Sequence, residues 1–164
     1  MMDNEMLRAL SILLVEDNEI DVEITKRVIA KSGIAVSFQV ARDGEEALEI
    51  LSQTPARGDH QRPKLILLDL RLPGIDGWEI LRRIKNNAEL CAIPVAVLTG
   101  LSDTKLMMEC LELGGNMYFV KPITERDAAS LLPAIRKYWS VVERLQREKG
   151  RGAGPADAGV AGGR

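Results

Sequence analysis

The chain alternates short apolar runs with longer segments in which apolar side chains recur every three or four residues. The short runs have the length and apolar content of strands, and the longer segments have the period of amphipathic helices. The predicted strands are residues 12–16, 35–40, 64–69, 94–98 and 117–120. The predicted helices are residues 20–32, 44–52, 77–87, 103–113 and about 125–148.

Most of the predicted strands are continuously apolar rather than alternating between apolar and polar positions. Such strands are covered on both faces, which predicts an α/β fold with a doubly wound, five-stranded parallel sheet between two layers of helices. Right-handed crossovers place the carboxyl ends of parallel strands at one edge, where ligands of these folds bind. Five polar residues at the ends of four strands are expected to meet there: Glu16, Asp17, Asp69, Thr99 and Lys121.

The composition narrows the class of protein. A length of 164 residues suits one domain, and 46% hydrophobic with 28% charged residues is typical of soluble globular proteins. The formal net charge of -2 argues against binding to DNA. No apolar stretch approaches the ~20 residues of a membrane span, and the first residues lack the features of a signal peptide. We therefore expect a cytoplasmic protein that binds neither DNA nor membrane.

The two ends of the chain differ from its middle. We expect an N-terminal extension at residues 1–9, one domain with an extended last helix at 10–149, and a tail at 150–164. The tail is rich in glycine and alanine and has almost no large apolar side chain, so it is predicted to be disordered.

Three of the residues at the strand ends are carboxylates. At 4–5 Å two unit charges repel by roughly 3–4 kcal/mol at an effective dielectric of ~20, and a small cation removes that cost. Mg²⁺ prefers carboxylates, a carbonyl oxygen and waters. We expect Mg²⁺ to be held by Asp17, Asp69 and the backbone carbonyl of Arg71, with Glu16 as a direct or water-mediated ligand. The alternative is that Glu16 and Asp17 only cap the following helix.

Asp69 ends a buried strand and opens into a turn rich in proline and glycine, a costly position for a charge that has no chemical role. A carboxylate there can accept a phosphoryl group if fixed donors surround the product. Lys121 supplies a charged donor, the Thr99 hydroxyl a second, and the backbone amide of Gly100 a third.

The single histidine limits the chemistry that the chain can perform. His60 lies in the polar segment 53–63, which has the composition of a loop. Catalysis by a Ser-His-Asp or Cys-His arrangement needs a histidine fixed beside a nucleophile, and a histidine-rich zinc site needs several. We therefore expect no such role for His60, and the histidine that donates the phosphoryl group is expected to belong to a partner.

Four segments together resemble the receiver domain of two-component response regulators. They are LVEDN at 14–18, LLDLRLPGIDG at 67–77, VLTG at 97–100 and YFVKP at 118–122. The resemblance covers residues 10–140 and implies a flavodoxin-like fold. It assigns a role to each of seven residues: phosphoacceptor Asp69, acidic pair Glu16 and Asp17, switch hydroxyl Thr99, small neighbour Gly100, phosphate-contacting Lys121 and switching aromatic Tyr118.

The resemblance implies a signalling protein rather than an enzyme. A histidine kinase or a histidine phosphotransfer protein would phosphorylate Asp69 with Mg²⁺, Thr99 would move inward, and Tyr118 would turn into the vacated space. The face around Thr99 and Tyr118 would then bind a downstream protein target. The insertion at 54–63 and the Tyr138-Trp139 pair also resemble stand-alone regulators that work with phytochrome-type kinases, although a kinase of another sensory class fits nearly as well.

The predicted last helix carries one apolar stripe, formed by Leu131, Ile135, Tyr138, Val142 and Leu145. This stripe either packs on the sheet and frays into solvent, or forms the seam of a homodimer together with strand 117–120. Pro133 lies within the pattern and predicts a kink or a late start of the helix.

Two other functions would use some of the same residues. A phosphatase of the haloacid-dehalogenase-like family would have an aspartate two residues after the nucleophile, where this chain has Arg71. A receiver-like module that works without phosphorylation would normally have lost Asp69, Lys121 or an acid. Turnover of a small phosphorylated metabolite would favour the phosphatase. No uptake of phosphate by Asp69 from acetyl phosphate with Mg²⁺ would favour the module that works without phosphorylation.

Overall fold

The protein has one parallel sheet with the strand order β2-β1-β3-β4-β5. The computed structural model describes residues 9–53, 62–100 and 102–152. The strands are β1 (Leu10–Val15), β2 (Val36–Ala41), β3 (Leu65–Leu68), β4 (Val95–Thr99) and β5 (Met117–Val120). The helices are α1 (Glu19–Ala30), α2 (Gly44–Ser52), α3 (Gly77–Lys85), α4 (Thr104–Glu112) and α5 (Glu125–Gly152).

The sheet lies between two layers of helices, as the uninterrupted apolar runs predict. Strands β3 and β4 are buried along their whole length. Successive side chains of a strand point to opposite faces, so each central strand contributes to two cores. One core joins the sheet to α1 and α5, and the other joins it to α2, α3 and α4. The flavodoxin-like, three-layer α/β/α fold is therefore confirmed.

The edge strand β2 differs from the central strands because only one neighbour covers it. Its residues alternate between partly buried and exposed, ending in the buried Ala41. The alternating sequence 35–40 predicted a strand of this kind.

The last helix is anchored near its middle at the amino ends of two strands. Trp139 Nε1 donates to the carbonyl oxygen of Lys64 at 2.7 Å, just before β3. The Tyr138 hydroxyl donates to the carbonyl oxygen of Ala92 at 2.6 Å, in the segment before β4. Beyond this anchor Val141 is 43% exposed and Leu145 is 52% exposed. The first half of α5 therefore packs on the sheet and the second half extends away from it.

Two expectations about the last helix are wrong. A late start at Pro133 is excluded because α5 begins at Glu125 and includes this proline. The helix also continues to Gly152, so residues 150–152 are helical rather than part of a disordered tail. Pairing within the helix outweighs the helix-breaking tendency of Gly150 and Gly152 in the sequence.

Several other expectations lie outside the described residues: the extension at 1–8, the segment 54–61 with His60, and the tail from 153 onward. Across the described helices, none has both the length and the apolar content that crossing a bilayer requires.

Candidate functional site

The register of β1 and β3 brings two carboxylates together. Val15 of β1 pairs with Leu68 of β3. Glu16 follows Val15, and Asp69 follows Leu68. The Asp69 N–H donates to the Val15 carbonyl at 3.1 Å, and the Glu16 N–H donates to the Ala41 carbonyl at 2.9 Å. Backbone pairing therefore continues one residue past each strand and fixes both acids at the carboxyl edge of the sheet.

The register of β4 and β5 places a lysine at the same edge. Thr99 pairs with Val120, so Lys121 directly follows the last paired residue of β5. The Lys121 N–H donates to the Thr99 carbonyl at 2.8 Å. The predicted convergence of the ends of β1, β3, β4 and β5 is thus present in the structure.

Glu16, Asp17 and Asp69 form a group of carboxylates suited to a divalent cation. One oxygen of each lies within 4.8 Å of the oxygens of the other two. Glu16 is 2% exposed and Asp69 is 5% exposed, whereas Asp17 is exposed to solvent. Two buried acids and an open third provide hard oxygen ligands with access for water, which is the environment that Mg²⁺ prefers.

Lys121 offsets part of this negative charge. Its Nζ donates to the carboxylate of Glu16 and, at 2.9 Å, to Asp69 Oδ2. It also donates at 3.1 Å to Oδ2 of Asp21, in the first turn of α1. Only 15% of the Lys121 side chain is exposed, so these ion pairs are shielded from bulk water.

Burial and hydrogen bonding act in opposite directions on the pKa values of Glu16 and Lys121. Burial raises the pKa of Glu16 to about 7, although hydrogen bonds from Lys121 and Asn18 act in the opposite direction. Burial alone would lower the pKa of Lys121, but its hydrogen bonds to Glu16 and Asp69 outweigh this and raise the pKa above its ordinary value. The lysine is therefore held in its charged form by the acids around it.

The turn after β3 holds the Asp69 carboxylate from its other side. The Arg71 N–H donates to Asp69 Oδ1 at 3.0 Å, so Asp69 Oδ1 and Oδ2 have different partners. A Cβ atom at Gly77 would overlap the Asp69 carbonyl oxygen and lie 2.5 Å from Leu70 Cα, so glycine allows α3 to start this close to the site. The carbonyl oxygen of Arg71 as a metal ligand stays a prediction.

The alternative in which Glu16 and Asp17 only cap α1 is wrong. The cap is Asn18, whose Oδ1 accepts from the N–H groups of Ile20 at 2.9 Å and Asp21 at 3.1 Å. Asparagine satisfies the free amides of the first turn, which leaves the two acids for the site.

The three predicted switch residues occupy different environments. Thr99 is fully buried at the end of β4, beside the strand that carries Asp69. Gly100 is exposed, and a Cβ atom there would meet nothing within 4 Å, so no steric contact requires glycine at this position. Tyr118 is half-buried on β5 against the core that contains Cys110, and burial raises its pKa.

Asp21, the third carboxylate bonded to the Lys121 ammonium group, is not among the residues predicted from the sequence. The available signal was its spacing. It lies four residues after Asp17 and in the first turn of the predicted helix, and a side chain there is directed back toward the N-terminal end of the helix. Strand ends and the resemblance to a family place no residue of α1 at the site, so Asp21 is not among the predicted residues.

Comparison with known proteins gives consistent matches. The model of the response regulator receiver domain family matches residues 12–133. The response regulator Rcp1 of Synechocystis sp. is 38% identical over 128 residues, covering 78% of this chain and 87% of that protein. The Mn²⁺-bound form of Rcp1 aligns with a TM-score of 0.62 and 37% identity, covering 79% of this chain and 93% of its own.

Two further solved structures are similar. The bacteriophytochrome response regulator AtBRR aligns with a TM-score of 0.65 and 38% identity, over 73% of this chain and 87% of its own. The phosphorylated cyanobacterial phytochrome response regulator RcpA aligns with a TM-score of 0.65 and 33% identity, over 80% of this chain and 94% of its own. The family model spans most of the chain and the fold agrees, so this chain belongs to the response regulator receiver domain family.

Proposed function

We propose that the chain is a single-domain response regulator that accepts a phosphoryl group on Asp69 in the presence of Mg²⁺. The observation that carries this proposal is the position of the Asp69 carboxylate. It is buried, lies within 4.8 Å of the carboxylates of Glu16 and Asp17, and is hydrogen-bonded to Lys121. Receiver domains bind Mg²⁺ at an acidic pocket of this composition.

The residues of the chain divide the work of phosphoryl transfer. The proposed donor is a phosphohistidine of the partner; its N–P bond breaks as a carboxylate oxygen of Asp69 forms the O–P bond, and the imidazole leaves with the electron pair. The Arg71 N–H fixes the carboxylate, and Lys121 offers its ammonium group to the phosphoryl oxygens. Glu16, Asp17, Asp69 and the Arg71 carbonyl would hold Mg²⁺, which would supply positive charge beside those oxygens.

The proposed switch begins at Thr99 and Gly100. The Thr99 hydroxyl and the Gly100 amide donate to the phosphoryl oxygens, and Tyr118 on the neighbouring strand repacks. Support comes from the pairing of β4 and β5, which places Tyr118 opposite Val97, two residues before Thr99. The chemistry of the chain is then limited to its own phosphorylation and dephosphorylation.

The partners follow from the same proposal. Histidine kinases supply the phosphoryl group of receiver domains, and we propose a phytochrome-type kinase, or a histidine phosphotransfer protein, for this chain. Support comes from AtBRR and RcpA, both described as phytochrome response regulators. The switched face binds a downstream protein, and a second copy of the chain is proposed to dock on β5 and α5, where Val120 is 40% exposed.

The test is labelling of Asp69. Asp69→Asn keeps the shape of the side chain but removes the nucleophilic oxygen, so labelling by acetyl phosphate with Mg²⁺ is expected to disappear while the fold survives. Phosphate-affinity gel mobility and circular dichroism measure the two properties.

The matched control is Asp76→Asn, in the same turn. Asp76 Oδ1 caps α3 by accepting from the Glu79 N–H at 2.9 Å, and asparagine caps equally well. This variant is expected to label like the wild type. Continued labelling of Asp69→Asn, or no labelling of the wild type, would contradict the proposal.

A further inference from the structure

The Lys121 ammonium group is shared among three carboxylates, and only two of them belong to the carboxylate group suited to a cation. A lysine ammonium has three N–H donors. In the structure they are directed to Glu16, Asp69 and Asp21. Glu16 and Asp69 are members of the group with Asp17, whereas Asp21 is not. The partners of Lys121 are therefore of two kinds.

The contacts of Lys121 with Glu16 and Asp69 are lost when the proposed reaction proceeds. A divalent cation at Glu16, Asp17 and Asp69 competes with the ammonium group for the same oxygens and repels it, because both are positive. Phosphorylation also converts Asp69 from a carboxylate into an acyl phosphate. The contact with Asp21 is the one contact of the three that neither event consumes.

The backbone of Asp21 is fixed in the capped first turn of α1, and its side chain is only partly exposed. Its backbone N–H donates to Asn18 Oδ1, and the next residue, Val22, is 1% exposed in the core. Only 33% of the Asp21 side chain is exposed. By contrast, the lysine side chain has four flexible methylene groups and loses contact readily without a fixed acceptor.

We propose that Asp21 is a positioning residue that keeps the Lys121 ammonium group beside Asp69 while the cation and the phosphoryl group occupy the site. This role rests on the proposed function, since it concerns the state in which Asp69 carries a phosphoryl group. Asp21 acts through Lys121 and does not itself contact the reacting atoms.

The test measures binding of beryllofluoride, a phosphoryl mimic, to the full chain at saturating Mg²⁺. Asp21→Asn removes the charge and keeps the size of the side chain. Its affinity for beryllofluoride, followed by fluorine NMR, is expected to fall about three- to tenfold because one ion pair that orients Lys121 is lost. Asp21→Glu keeps the charge and is expected to recover part of this loss.

The matched control is Glu23→Gln, which removes one negative charge from the exposed face of the same helix. It is expected to change the affinity for beryllofluoride less than twofold. A second measurement reports on Lys121 directly. In the bound wild type its ammonium protons are expected to give a nitrogen-15 correlated NMR signal because they exchange slowly, and in Asp21→Asn this signal is expected to broaden or vanish.

The outcomes separate the two proposals. A wild-type chain that binds no beryllofluoride overturns the proposed function and, with it, the role of Asp21. A wild type that binds, with Asp21→Asn binding equally well or more tightly, overturns only the role of Asp21. Equal weakening by Asp21→Asn and Glu23→Gln would also overturn it, since the cause would then be net charge rather than the contact with Lys121.

Discussion

Lys121 and Lys85 lie at opposite ends of the parallel strands, and different kinds of oxygen bind their ammonium groups. Lys121, after β5, is bonded to three carboxylates. Lys85, at the end of α3, donates to two carbonyl oxygens, of Cys91 at 3.3 Å and Ile93 at 2.9 Å, and to Asn116 Oδ1 at 3.2 Å. The pKa of Lys121 is raised above its ordinary value, whereas burial lowers that of Lys85.

The charged partners of Lys121 suit a site where ions are exchanged, whereas the neutral partners of Lys85 suit a structural contact. A divalent cation can replace the Lys121 ammonium group at Glu16 and Asp69, because these acids bind any nearby positive charge. The ammonium group can then donate to the oxygens of a phosphoryl group. The oxygens around Lys85 are neutral and do not attract a cation in this way; through Lys85 they join the end of α3 to the segments that precede β4 and β5. Asn116 Oδ1 also accepts from the Val95 N–H at 2.9 Å, which links the first residue of β4 to the same group.

The largest expected effect comes from removing Lys121. Lys121→Ala is expected to keep or tighten Mg²⁺ binding, since the ammonium group no longer competes for Glu16 and Asp69. It is expected to lose most of the response to phosphorylation, because the phosphoryl group loses its charged donor. An NMR titration with Mg²⁺, followed by beryllofluoride, measures both. If Lys121→Ala bound Mg²⁺ more weakly, or if its response around Thr99 to beryllofluoride were unchanged, the role given to Lys121 would be contradicted.

The next effect comes from removing Lys85. Lys85→Met removes a donor that three oxygens share and is expected to lower the free energy of unfolding by about 1–3 kcal/mol. Labelling of Asp69 is expected to be unchanged, because Lys85 lies at the opposite ends of the strands.

Urea denaturation compared with Lys137→Met, on the exposed face of α5, provides the measurement and the control. The control is expected to change the free energy of unfolding by less than ~0.5 kcal/mol. Lost labelling in Lys85→Met, with the fold retained, would show that Lys85 also serves the site.

The smallest effect is a change in the dependence of stability on pH. Burial lowers the pKa of Lys85 below its unfolded value of 10.5. Between these two pKa values the unfolded chain binds a proton that the folded chain has released, so stability rises with pH there. As the pH rises toward 10.5, the free energy of unfolding of the wild type is therefore expected to rise relative to that of Lys85→Met. An identical pH dependence of the two proteins would contradict the lowered pKa that partial burial gives Lys85.

Much of the fold could be predicted because local patterns and global packing agree. The apolar sequences LILL of β3 and VAVLT of β4 are buried on both faces, which is what uninterrupted apolar runs indicate. Strand and helix ends were predicted within two residues, except at the end of α5. There the glycines indicated a tail by composition, but composition does not report whether hydrogen bonding continues from the preceding helix.

The candidate site was predictable wherever strand topology decides position. Glu16, Asp69 and Lys121 each follow a paired strand residue, so counting residues along the strands was sufficient. The Lys121–Asp21 contact was not predictable in this way. It depends on the path of a lysine side chain across the site to α1, and a rotamer choice of that kind leaves no periodic signal in the sequence.

The anchor near the middle of α5 has a mechanical consequence. The helix starts four residues after Lys121, and Trp139 and Tyr138 fix its centre to the far ends of the strands. At 1.5 Å per residue about 20 Å of helix lies on either side of that point. The inner half is also packed on the sheet, whereas the outer half, where Leu145 is 52% exposed, projects from the anchor as a cantilever. A protein could therefore contact the exposed Val141 and Leu145 of this projecting half without approaching the carboxylate group at the other end of the strands.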